Sequence, residues 1–444
     1  MPAQQTVAVI GGGLAGLATG LALGSAGHPV TIYEARPFLG GRATSYQLNT
    51  AEDDTVTIDN CQHILLRCCT NLIDFYERLG VAGRIHFYRE FNWIEPGGRT
   101  SVMKRGILPA PLHFTESFAT LRFLSLADKL SIARAFLAAK REYGKRRDLD
   151  RINMLAWLRE KKQTTRAIQR FWGQVMVSAI SEELDRMAAA HGLQVICLGF
   201  LANANAYEMG VPAVPLAELY SEDIWSRYRN VKIAHRMPVQ QLSIENGRVN
   251  GAVVEGDRIT ADAYVSAVPF ERVNALIPGL PLDLSAFKHS PITGVHLWFD
   301  RTVTDLPHAT LLDRTIQWIY NKHEGRHIQL VVSASRSLVE MPRREVIDLA
   351  LTELAEFFPR AKEAKLERAH VVKEVRAVFS AAPGLEEHRP ASVTGIPNLF
   401  LAGDWTRSGW PATMEGAVRS GYLAAEAVLK SFGSTQRFLL PDAA

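Results

Sequence analysis

The chain has 444 residues, 47% hydrophobic and 22% charged, which is enough to bury a sizeable core and too apolar for disorder. Its 50 basic and 46 acidic residues leave a formal charge of +4, too even a balance for a nucleic-acid partner. Four cysteines, none in a C-x-x-C pair, argue against a disulfide framework and offer no metal site. No basic leader precedes the first glycine cluster, and no apolar run approaches the roughly 20 residues of a spanning helix. The expected location is therefore the cytoplasm, at most peripheral to the inner face of the cell membrane.

Thr6–Ile10 is a short apolar run rich in β-branched residues and reads as a buried parallel strand. Gly11-Gly12-Gly13-Leu14-Ala15-Gly16 follows in G-x-G-x-x-G spacing, then Leu17–Ala26 reads as a helix stopped by Gly27. Val30–Tyr33 reads as the next strand and ends at Glu34. Each piece has a physical task in dinucleotide binding. Gly11 permits the tight turn, Gly13 lets a pyrophosphate approach the backbone, and Gly16 lets helix and strand pack closely. Leu14 and Ala15 open the helix, whose free N–H groups and partial positive charge face the phosphates. The Glu34 carboxylate can accept ribose hydroxyls.

Glu34-Ala35-Arg36-Pro37-Phe38-Leu39-Gly40-Gly41-Arg42 resembles the E-A-x-x-x-x-G-G-R extension of the flavin-containing amine oxidase and carotenoid desaturase superfamily. The resemblance implies FAD, with Gly40 and Gly41 against its phosphates and ribityl chain and Arg42 on the pyrophosphate or flavin edge. Pro397–Asp404 reads as a strand ending in Gly403-Asp404, and Met414-Glu415-Gly416-Ala417 opens a helix. This is similar to the superfamily's C-terminal flavin motif, where that helix N-terminus faces the flavin pyrimidine carbonyl. No cysteine follows Cys197, so the FAD is expected to be non-covalent. The resemblance also places Val239 on the adenine through its backbone, just before a hairpin turning at Asn246-Gly247. Tyr264–Pro269 reads as a returning strand.

The expected fold is α/β, a Rossmann-type FAD-binding domain from 1–90, 195–270 and 390–430, with a discontinuous α+β substrate domain from 91–194 and 271–389. The first substrate interval reads as helix-rich, with an amphipathic stretch from Ser117 to Arg147 that suits either a lid at a lipid surface or a core-packed helix. The second holds the strand-like Ile292–Phe299 and Gln329–Ser333, then a helix over Arg343–Phe358. The tail, 431–444, reads as loose or as a short docking segment.

Val56–Leu66, Pro109–His113, Ser125–Leu130 and Gly409–Ala417 resemble segments of the hydroxysqualene dehydroxylases of bacterial hopanoid pathways. Those enzymes carry D-N-G-Q-H, and here Cys61 stands at the glycine. The resemblance implies reductive removal of a hydroxyl from hydroxysqualene by FADH2, re-reduced by an unidentified electron donor. Asp59 and Gln62 would face the flavin. A departing hydroxide needs an acid. His63 is the first candidate, although it equally suits a histidine holding a backbone carbonyl, and Glu208 is the second. Trp172, Trp298, Phe299, Trp318 and Tyr320 are candidate walls of a tunnel for the long isoprenoid chain. A carotenoid-type desaturase is the nearest alternative, and a non-catalytic prenyl-chain binding protein of the same architecture is another. A conventional amine oxidase is disfavoured because Pro291–Phe299 lacks a lysine.

Overall fold

The computed structural model describes residues 4–49 and 55–443. Residues 1–3, 50–54 and 444, which fall within the expected cofactor segment and tail, lie outside the described residues. Five short strands form a parallel sheet in the order Val231–Ala234, Val30–Tyr33, Val7–Ile10, Ala263–Ser266 and Leu399–Leu401. Val7–Ile10 and Ala263–Ser266 are buried at every position, as expected of central parallel strands covered on both faces. The helix Leu14–Ser25 lies on this sheet through small residues. A Cβ on Gly20 would come within 2.6 Å of Ile32, and one on Gly24 within 2.4 Å of Val231. The helix Met414–Ser431 packs on its other side, where a Cβ on Gly421 would meet the Ala15 carbonyl at 2.4 Å. The first and last helices of the chain therefore touch, and the two expected halves of the cofactor site are one body.

The second body is a seven-stranded sheet in the order Leu366–Phe379, His289–Phe299, His327–Ser333, Trp318–His323, His308–Leu311, Glu90–Ile94 and Thr100–Lys104. Its pairs are antiparallel except for His308–Leu311 with Glu90–Ile94. Side chains alternate between faces. One face sends Val295, Leu297, Phe299, Leu311, Ile319 and Leu330 against the helix Arg343–Phe357. The opposite face, called the front here, joins Phe91, Trp93, Trp318, Tyr320 and Val331 to the main core under the helices of residues 115–201.

Two expectations become more specific and one needs correcting. The interval after residue 90 opens with the hairpin Glu90–Ile94 and Thr100–Lys104, which completes the substrate sheet before the helices from Thr115 onward begin. Ser117–Arg147 is not one helix but two, Thr115–Thr120 and Leu126–Glu142, the second started by a Ser125–Asp128 capping box. The tail docks: Phe438 is buried, the N–H groups of Phe438 and Leu439 donate to Glu426, and Asp442 accepts from Trp410 and Arg419 at 2.9 Å each. The Asn246-Gly247 turn forms as expected, with φ of 50° and 72° joining Val239–Glu245 to Arg248–Val254.

Candidate functional site

The cradle begins at the first turn. Gly13 caps the helix Leu14–Ser25 with no side-chain bond and no acid follows in the first turn, so the orphan N–H groups there remain for an anionic ligand. Gly16 is demanded by contact: a Cβ there would stand 1.9 Å from the Gly11 carbonyl oxygen. Gly40 and Gly41 have φ of 98° and 63° and lie directly on this loop, Gly40 pairing with Gly13 and Gly41 bringing its Cα toward it. Glu34 accepts from the N–H groups of Gly12 at 2.7 Å and Arg36 at 2.8 Å, fixing the acid beside the glycine loop. Met237 N donates to the Glu34 carbonyl at 2.9 Å, which sets Val239 near the same acid. Ala35 and Arg36 are exposed, and Arg36 reaches back to the Gly41 carbonyl at 3.4 Å.

The distant halves meet through Arg42, whose guanidinium donates to Asp404 at 2.5 Å across 362 residues of chain. Gly403, at φ 138°, admits the Trp405 indole, and a Cβ there would lie 2.5 Å from its nitrogen. The buried Arg389 ties the carbonyls of Asp404 and Thr406 together, bracing the loop. Thr413 caps the last helix through Gly416 N at 3.0 Å, with Met414 and Ala417 beside it. Glycine surfaces, two helix N-termini, a carboxylate and a guanidinium thus suit a dinucleotide with a negatively charged pyrophosphate. Glu415 is the exception. Its carboxylate turns inward and accepts from Asn71 and Leu72 N–H groups at the start of the helix Thr70–Arg78, so its side chain serves that helix and not a cofactor.

The Asp59–His63 segment faces the front of the substrate sheet, where a Cβ on Gly294 would come 3.6 Å from the Asn60 carbonyl. Asp59 accepts from Ser45 Oγ at 2.7 Å and Leu216 N at 3.0 Å. Lys322 Nζ joins this segment, donating to Gln62 Oε1 at 3.0 Å and lying 3.5 Å from Asp59 Oδ2. His63 Nε2 lies 3.2 Å from Asn60 Oδ1. Burial pushes His63 down to about 4, with Asp59 pulling the other way and Arg42 and Lys322 adding to the fall. Burial therefore favours the neutral imidazole at His63, which disfavours it as a standing proton donor. Burial pushes the Cys61 thiol up to about 12, which leaves it protonated and inert beside this segment.

Along the strand Trp318–His323 the front face carries Trp318, Tyr320 and Lys322 in alternation. The two rings stack 5.8 Å apart, and Phe91 meets Trp318 edge-on at 6.4 Å. Trp298 shares this face but lies at its outer end, stacked on His327 at 4.3 Å under Arg368. Two expected wall residues are elsewhere. Phe299 points to the back face with Phe357, because strand alternation puts it with Val295 and Leu297. Trp172 is core of the helical lobe, wedged among Phe136, Trp157 and Phe171 with its indole N–H on Gln163. Glu208 is also displaced. It pairs with Arg67 at 2.7 Å and Arg89 at 3.3 Å on the wall of an outer cleft of about 490 Å³, so both oxygens are taken by guanidinium groups. Lys322 is the polar side chain of this segment that sequence reasoning did not single out; its strand lies two away from Pro291–Phe299 in the same sheet.

Residues 14–429 match the family described as flavin containing amine oxidoreductase. A zeta-carotene desaturase of Synechocystis sp. is 26% identical, with 98% of this chain and 99% of that protein covered. A 15-cis-phytoene desaturase of Synechococcus elongatus is 25% identical over 97% of both. Among solved structures, an oxidoreductase from Methanosarcina mazei superposes with a TM-score of 0.72 at 19% identity, covering 96% of this chain and 100% of that one. A putrescine oxidase bound to putrescine gives 0.70 at 16% identity, with 96% and 99% covered.

Proposed function

Because the chain belongs to the flavin-containing amine oxidoreductase family and is an FAD-dependent oxidoreductase, we propose that it removes the hydroxyl of hydroxysqualene reductively to give squalene. FAD, held non-covalently and used as FADH2, supplies a hydride equivalent when bound. The glycine loop, Gly40-Gly41, Glu34, Val239, Arg42 and the Gly403–Ala417 segment are the residues that hold it. What remains for the chain is to dry the site, align an isoprenoid and deliver one proton to the departing oxygen, which leaves as water. The observation that carries this reading is the strand Trp318–His323, where an aromatic stripe ends in Lys322 beside Asp59 and Gln62. That places an N–H donor at the end of an apolar wall, as allylic C–O cleavage requires. Neutral His63 then orients, through Asn60, the segment that Lys322 contacts.

The second reading is carotenoid-type desaturation, favoured by relatives named as zeta-carotene and phytoene desaturases. Anaerobic incubation of reduced holoenzyme with hydroxysqualene separates the two. Squalene is the expected product; its absence, together with turnover of phytoene under oxidising conditions, would establish the desaturase.

An insoluble substrate should be taken from a lipid surface. The helix Leu126–Glu142 exposes Leu126, Leu130 and Leu137, which fall within about 40° of one another at 100° per residue. Arg134, Lys140 and Arg141 are exposed within about 80° of that stripe, and the loop before the helix Thr115–Thr120 exposes Ile107, Leu108 and Leu112. Leucines flanked by cations suit an anionic bilayer. Phe114, Phe123 and Leu124 are instead buried, and Arg146 is paired to Glu142, Asp148 and Glu160, so only part of the amphipathic stretch faces outward. No helix among the described residues is long and apolar enough to cross a membrane.

A further inference from the structure

We propose that the outer cleft beside Glu208 seats the phosphate of an anionic phospholipid between Arg89 and Arg105, with Ile107, Leu108 and Leu112 resting in the acyl layer next to it. This rests on the reading of the chain as an enzyme that takes an isoprenoid from a lipid surface, and it names the contact that holds that surface.

The hairpin of Glu90–Ile94 and Thr100–Lys104 builds the cleft. Glu90 and Lys104 are its last pair and bridge at 2.9 Å, so Arg89 and Arg105 leave together from its open end. One phenol ties them. Arg105 N–H donates to the Tyr207 hydroxyl at 3.0 Å, and that hydroxyl donates to the Arg89 carbonyl at 2.9 Å. Both arginines line the same cavity of about 490 Å³, within the usual range of ligand sites.

Charge in the cleft is unevenly matched. Lys104 has Glu90. Arg67 and Arg89 share the Glu208 carboxylate, which lies closer to Arg67, at 2.7 Å, than to Arg89, at 3.3 Å. Arg67 is further occupied by the Phe87 ring, 3.8 Å from its guanidinium. Arg89 is left 79% exposed, with donors to spare. Arg105 pairs with no carboxylate among the described residues and donates to Asn205 Oδ1 at 2.7 Å. Glu116 lies against Gly106, where a Cβ would meet its carboxylate at 2.5 Å, but it makes no ion pair with Arg105. Two planar guanidinium groups on one cavity suit the oxygens of a phosphate, which each can hold bidentately.

The residues that follow identify the phosphate as a lipid's. The loop leaving the cleft at Gly106 exposes Ile107 to 90% and Leu112 to 58%, with Leu108 beside them. A soluble phosphate ester gains nothing from bare apolar side chains on the rim, whereas a bilayer buries them while its headgroups meet the arginines. The cleft also ends the aromatic wall. Tyr207 packs on Phe91 at 6.0 Å and on Phe114 at 4.7 Å, and Phe91 in turn meets Trp318. A headgroup held here sets the bilayer surface at the outer end of the run that leads to Tyr320 and Lys322.

The test sediments the holoenzyme with phosphatidylcholine vesicles, with and without phosphatidylglycerol. The native enzyme should favour the anionic vesicles. Arg89→Gln and Arg105→Gln should each weaken that binding about fivefold and leave the melting temperature unchanged. Arg105→Lys should weaken it as well, because it keeps the charge and loses the planar fork. Unchanged binding in both glutamine variants would overturn the proposal, and so would native binding in Arg105→Lys, which marks a diffuse charge effect. If one glutamine variant fails to fold, the other decides. Calorimetry with dihexanoyl phosphatidylglycerol below its micelle concentration, beside glycerol phosphate, separates the lipid from a free phosphate; comparable binding of the two would overturn the lipid assignment. None of these measurements needs turnover. A cleft that binds the lipid in an enzyme that forms no squalene removes the dehydroxylation alone, and squalene formed in detergent by an enzyme indifferent to anionic vesicles removes the cleft alone.

Discussion

Gly13 and Gly16 stand three residues apart in one loop, and the structure assigns them different physics. Gly13 is in extended backbone, φ −78° and ψ 176°, and a Cβ on it would touch only the Gly41 Cα at 3.7 Å. Gly13→Ala should therefore fold. The poorer N-cap and the stiffer unfolded chain oppose each other, leaving a net change within about 1 kcal/mol. The new methyl nevertheless covers the surface on which the pyrophosphate must lie. Loss of one charge-assisted hydrogen bond, about 1.5–3 kcal/mol, weakens FAD binding about 10- to 150-fold. Gly16→Ala instead drives a Cβ to 1.9 Å from the Gly11 oxygen, and backbone must move, at about 1–3 kcal/mol. Fluorescence titration of the apoprotein with FAD, beside thermal melts of the same samples, reads both. Native FAD affinity in Gly13→Ala would refute the placement of the phosphates.

Arg42→Met should weaken FAD binding while costing under about 1 kcal/mol of stability, because the arginine of the Arg42–Asp404 pair is 37% exposed and screened; a double-mutant cycle with Asp404→Asn checks it. Lys322→Met should keep full FAD content and lose about 10²- to 10⁴-fold in turnover, whereas His63→Gln should retain most of it; the reverse order would move the acid back to His63. His63, His296 and His308 are each pushed down to about 4 by burial, so the folded enzyme resists protons that the unfolded chain takes up near 6.5. Their contribution to stability is complete above that pH and is lost as pH falls toward 4, so the melting temperature should drop across this window and drop less in His308→Phe. Replacing Leu126, Leu130 and Leu137 by serine should abolish sedimentation with anionic liposomes at low salt while leaving the melting temperature unchanged; undiminished sedimentation would exclude that surface.

The cofactor half was legible because its signals are local. The strand Val30–Tyr33 was readable to the residue, and the Glu34–Arg42 run carries its glycines in order. The substrate half depends on which face of a sheet a residue meets, and that is set by register between distant strands. Phe299 looked like Trp298 in the sequence, yet one step along the strand moved it to the back. Glu208 and Glu415 are acids at plausible spacings whose oxygens are consumed by partners at least 119 residues away. Lys322 was readable only in part: the alternation Trp318, Tyr320, Lys322 marks one face of a strand, but nothing local brings it to Gln62, 260 residues earlier.

A crystal structure of the FAD complex soaked with squalene tests the central claim most directly. The account predicts the isoalloxazine between the Asp59–His63 segment and the front of the substrate sheet, with the hydrocarbon running from Lys322 past Tyr320 and Trp318. A ring walled off from that face, or a chain bound elsewhere, would contradict it.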